Sequence, residues 1–129
     1  MLIQILQVIV SLGLLNVWLV RANLSTAYRG GKATTLREEF AAYGLPNWFC
    51  TVVGALKIGS AVALLAAIWF PEIRVPVAAL ISCLMVGAVM MHAKVKDPIG
   101  KAMPAAAMLL MSLALSCLCL LYTSDAADE

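Results

Sequence analysis

Only 12% of this 129-residue chain is charged, with seven acidic side chains and a single histidine. Soluble domains average about 25% charged residues, so the polar shell that a water-soluble fold needs is missing. The acids avoid the four longest apolar runs altogether: Leu2 to Val20, Trp48 to Phe70, Val75 to Ala93 and Ala102 to Tyr122. Lys57 is the one charged residue inside any of them. The four cysteines, Cys50, Cys83, Cys117 and Cys119, include no Cys-x-x-Cys pair, which leaves a dithiol relay without support. Isolated thiols in apolar helices behave as small packing residues. A lone histidine with scattered cysteines makes no clustered metal motif. Gly54 to Gly59 lies within an apolar run, so it is not a phosphate loop. A net charge of +2 is too small to suggest a nucleic-acid partner.

What the chain does have is length in its apolar runs. A helix rising ~1.5 Å per residue crosses ~30 Å of hydrocarbon in ~20 residues, and each run is close to that. The expected class is all-α: an integral membrane four-helix bundle, with a short amphipathic helix between spans 1 and 2. Residues 1–122 form one four-span domain and 123–129 a short polar tail. No Lys or Arg precedes Leu2, and the first run exceeds the core of a signal peptide, so it is expected to be a retained span. The last stretch, residues 119–129, resembles a translated sequencing adapter, and the natural sequence is expected to stop near Leu118.

Basic residues orient the spans. Arg21, Arg29, Lys32 and Arg37 fall between the first two runs, and Lys94, Lys96 and Lys101 between the last two. The other side carries only Arg74, a seven-to-one asymmetry. Basic loops stay in the cytoplasm, so both termini are expected outside.

The first loop is organised. Arg29-Gly30-Gly31 suits the end of helix one. Thr35 precedes Glu38 by three residues, the spacing of a capping box. Leu36, Phe40 and Tyr43 share a helical face, Arg37 and Glu38 point elsewhere, and Gly44-Leu45-Pro46 ends the run. The short helix is a connector hiding its apolar face or, more sharply, a lid over a ligand site. The brief Pro71 to Pro76 connection makes spans 2 and 3 antiparallel neighbours, Asp97-Pro98 reads as a cap with a first-turn proline, and Pro104 would kink span 4. In span 1, Gln4, Gln7 and Ser11 fall near one face, which is expected to turn inward.

Lys57 is the strongest chemical candidate. It lies ten residues past Asn47, roughly 15 Å along a helix. A mid-membrane lysine costs several kcal/mol unless it faces protein or water. Cys50, Gly54 and Ala61 sit on its face and would let another helix approach. With no acid in any span, its counter-group is a polar side chain, a carbonyl, a loop carboxylate or a bound anion. The plainer reading is a lysine that snorkels or plugs a small polar gap. Asn16 and His92 lie near the same membrane side, so Lys57, Asn16 and His92, with Tyr43 of the lid, form the candidate ligand-binding set. For His92, and for Tyr43 and Trp48, an interfacial position is the plainer alternative.

The run Tyr43-Gly44-Leu45-Pro46-x-Trp48-Phe49, Gly54-x-x-Lys57, Gly87-Ala88-Val89 with His92, and Asp97-Pro98 resembles the DoxX-like family. The resemblance covers nearly the whole chain and implies a four-span bacterial inner-membrane protein. The family takes its name from an association with thiosulfate:quinone oxidoreductase, and most members have no assigned activity. Many members carry an acidic residue at the position of Lys57, so a role needing an acid there is not implied for this chain. Two functional classes follow. The favoured one is a non-enzymatic accessory or assembly subunit, with a membrane-protein partner or further copies of itself. The alternative is a small-ligand protein holding a quinone, a lipid or an anionic metabolite in support of membrane redox chemistry. No catalytic constellation and no particular cofactor are indicated.

Overall fold

The computed structural model describes residues 1–20, 33 and 35–121 in full, and 122–128 by their backbone. The expectations resting on Arg21, Arg29-Gly30-Gly31, Lys32 and the Tyr122 side chain lie outside the described residues. Among the described residues there are five α-helices and no strand: α1 Leu2–Leu15, α2 Leu36–Ala42, α3 Asn47–Ala66, α4 Arg74–Lys94 and α5 Ile99–Asp128. A π-helical turn, Asn16–Val20, extends α1, and a 3-10 turn, Pro71–Ile73, leads into α4. Four of these segments are long and apolar enough to cross a membrane: Leu2–Val20, Asn47–Ala66, Pro71–Lys94 and Ile99–Leu121. They pack in a ring, α1 against α3 and α5, α3 against α4, and α4 most extensively against α5.

Each helix end has a local cause. Thr35 Oγ1 accepts a hydrogen bond from the Glu38 N–H at 3.2 Å and caps α2, while Glu38 and Glu39 complement the positive end of its dipole. At the other end Gly44 takes φ +80°. The Leu45 N–H then reaches the Phe40 carbonyl and the Gly44 N–H that of Ala41, the paired closure of a Schellman motif. The same closure ends α4, where Asp97 N–H reaches the His92 carbonyl and Lys96 N–H that of Ala93. Here the left-handed residue is Lys96, φ 57°, without glycine's freedom. That turn folds Asp97 back toward His92.

Two apolar clusters form the interior. Val10, Leu14, Ala61, Leu64, Ala78, Ile81, Met85 and Leu115 pack the half away from the basic loops. Trp18, Leu36, Phe40 and Cys50 pack the other half, joined by Leu45, Phe49 and Val53. Gln7, fully buried, donates from Nε2 to the Leu64 carbonyl at 3.0 Å, pinning α1 to α3. Large apolar side chains such as Leu19, Val62, Met90 and Leu110 are exposed on the outside, as a lipid-facing surface requires.

Several sequence expectations need correction. Gln7 and Ser11 turn inward, but Gln4 is exposed, because a wide stripe at helical period leaves its edge residue outside. The helix of the second span stops at Ala66, four residues short of Phe70, and Trp69 and Phe70 are exposed. The fourth begins at Ile99, directly after Pro98, and its backbone is helical to Asp128. Trp48 is 66% exposed, in keeping with an interface anchor, whereas Tyr43 is 4% exposed and is no such anchor.

Candidate functional site

The basic-loop end of the ring holds a half-open cavity of about 730 Å³, within the ~300–1,000 Å³ usual for small-molecule sites. Its floor is apolar, with Leu14, Val53, Leu84, Met85 and Met108. Its polar groups gather toward the loops. Lys57, Asn16, His92 and Tyr43, the four residues singled out from sequence, all line this one space. Lys57, His92 and Tyr43 are buried, and Asn16 is exposed at the start of the π-turn.

Local structure explains the placement of Lys57. Gly54, one turn earlier on α3, leaves room for the Trp18 ring: a Cβ there would lie 2.9 Å from Trp18 Cζ3. The π-turn of α1 brings Trp18 into that gap, and π-turns often mark functional positions. The ring meets Phe40 edge-on at 5.8 Å and supports the Lys57 ammonium, whose Nζ stands 5.0 Å from its centroid. Such a contact is worth about 0.5–2 kcal/mol. Lys57 is 8% exposed, and among the described residues no side chain or carbonyl accepts a hydrogen bond from its ammonium. The Glu39 carboxylate lies within electrostatic reach, outside ion-pair distance. The lysine faces the cavity with hydrogen-bonding capacity to spare.

Above it sits a buried polar chain. Tyr43 OH donates to Glu39 Oε1 at 2.5 Å, and its oxygen stands 3.5 Å from His92 Nε2. Glu39 Oε1 is 3.8 Å from the same nitrogen. On the other side of the ring, His92 Nδ1 lies 2.9 Å from Asp97 Oδ2, and Asp97 Oδ1 is 4.0 Å from Lys101 Nζ. The short helix α2 is fastened at its edges. Lys94 Nζ donates to the Tyr43 carbonyl at 2.8 Å, and Arg37 bonds Asn47 Oδ1 and Thr51 Oγ1.

Three of these groups were not singled out by their residue types. Glu39 reads as one of two first-turn acids, yet it falls three residues after Leu36 and four before Tyr43, on the face already marked as apolar. That spacing was the available signal. Trp18 is one aromatic in an apolar run, and only the π-turn aims it inward. Asp97, read as a helix cap, also bonds His92. No group of three His, Cys, Asp or Glu side chains could hold a metal ion among the described residues, and the four cysteines are unpaired thiols.

Four long apolar helices of this kind define a multi-pass integral membrane protein. The sequence profile of the DoxX-like family matches residues 8–115, and the chain belongs to that family. No curated protein and no solved structure matches it.

Proposed function

We propose that this protein binds a small, mostly apolar molecule in the cavity at the basic-loop end, with the polar head of that molecule against Lys57. The observation that carries this reading is a lysine only 8% exposed, with no hydrogen-bond acceptor among the described residues, on the wall of an apolar space of about 730 Å³. An ammonium so placed gains several kcal/mol from an acceptor in its medium of low dielectric. A quinone carbonyl, a lipid head or an anionic metabolite each supplies one. The cavity favours this reading over an accessory or assembly subunit, which would account for the small-residue helix faces and the lack of a catalytic constellation. Organic extraction of the purified protein, read by mass spectrometry, decides between them. A co-purifying molecule at near one per chain is expected, and a stoichiometric protein partner with an empty cavity would return the accessory role.

The same reading places the cavity on the cytoplasmic side of a bacterial inner membrane, given seven basic residues in or beside its loops against one opposite. A cysteine at Gly31 should then resist an impermeant thiol reagent in intact cells, while one at Glu72 labels. The reverse pattern would put the site on the outer face.

A further inference from the structure

The polar chain above the cavity has an asymmetry that bears on what the cavity takes. Asp97 sits against His92 Nδ1 at 2.9 Å, which settles a proton on that nitrogen. The Tyr43 proton is committed to Glu39 at 2.5 Å. His92 Nε2 therefore faces a phenolic oxygen and a carboxylate oxygen, at 3.5 and 3.8 Å, both of them acceptors. A second proton placed on Nε2 would point at these acceptors, and the resulting imidazolium would lie between two buried carboxylates. The cavity thus holds an ammonium in need of an acceptor at one position and a proton acceptor at another.

We propose that the ligand is a lipophilic weak acid, a single-chain carboxylic acid or an acidic phenol, which ionises on binding and passes its proton to His92. This rests on the cavity reading above and names its ligand class. The balance is simple. The neutral acid enters from the bilayer, its O–H bond breaks, the oxyanion stays against Lys57, and the proton bonds to His92 Nε2. No net charge enters the membrane, so the cost of burying an ion is avoided. An alcohol of the same chain length has no proton to yield at neutral pH and leaves Lys57 with a weaker acceptor. Among the described residues, the charged and titratable groups facing His92 are Glu39 and Tyr43 from α2, and Asp97 before α5, itself 4.0 Å from Lys101 of that helix. Lys94, on the same helix as His92, is held by the Tyr43 carbonyl.

Trp18, packed beneath Lys57, reports occupancy. In nanodiscs of the full chain carrying Trp48→Phe and Trp69→Phe, brominated dodecanoic acid should quench Trp18 emission at a mole fraction at least tenfold below brominated dodecanol. Lys57→Met should erase that preference. In weak buffer with a pH dye, at a pH where the added acid is carboxylate, the His92-containing protein should take up about one proton per acid bound, and His92→Gln should take up none. His92→Gln binding the acid with unchanged proton uptake overturns the relay. Equal quenching by acid and alcohol overturns the acid assignment and leaves a ligand cavity standing. Quenching by neither overturns the acid assignment, and the extraction experiment then decides whether another molecule fills the space.

Discussion

Lys57→Met is expected to lower retention of the co-purifying molecule at least tenfold while leaving the folded protein as stable as before or more so. Tenfold corresponds to about 1.4 kcal/mol, no more than one charge-assisted hydrogen bond contributes. The stability term has the opposite sign. Inserting a lysine at mid-membrane costs about 2.5–3.5 kcal/mol on translocon scales, and the contact with the Trp18 ring offsets only about 0.5–2 kcal/mol of that. Methionine keeps the length and the apolar stem, so the Trp18 ring retains a neighbour. Mass spectrometry of organic extracts gives the first quantity and thermal unfolding in one detergent the second. A plain packing or snorkelling lysine would leave retention unchanged, and that result would end the ligand reading.

The spans were legible because hydrocarbon imposes length and composition together, and few other environments do. Lys57, Asn16 and His92 stood out for the same reason: in an apolar run every polar group needs an explanation, so the candidates are few. Tyr43 came from the shared face of Leu36 and Phe40. What sequence alone missed is what depends on how segments close over one another. Glu39 and Glu38 are equivalent by type, and only the seating of α2 on the cavity buries Glu39, at 8% exposure, with its oxygen on Tyr43. Asp97 meets His92 because Lys96 adopts a left-handed conformation that no residue-type rule assigns to lysine. Trp18 turns inward through a π-turn, an irregularity that hydrophobic period does not announce. Gln4 failed for the converse reason: period placed it at the edge of the buried stripe, and edges are settled by the neighbouring helix.

Within α3, two glycines give a paired test of how the site is built. A Cβ at Gly54 would come within 2.9 and 3.0 Å of two Trp18 ring atoms, whereas one at Gly59 meets nothing within 4 Å. The Trp18 ring cannot retreat freely, since Phe40 abuts it at 5.8 Å and Lys57 covers it. Gly54→Ala should therefore destabilise by about 1–3 kcal/mol, the usual result of overpacking, despite the gain in helix propensity. Gly59→Ala carries only the propensity term and should be neutral or stabilising by up to ~1 kcal/mol. Thermal unfolding of both variants in the same detergent reads the contrast. Trp18→Leu removes the obstructing ring, so adding Gly54→Ala to that variant should cost less than it does in the wild-type chain, because the two positions are in contact and their effects do not add. If Gly54→Ala proves as harmless as Gly59→Ala, α1 does not press Trp18 into α3, and the support beneath Lys57 is absent. Loss of stability at Gly54 alone, relieved by Trp18→Leu, is the outcome that a ring seated under the buried lysine requires.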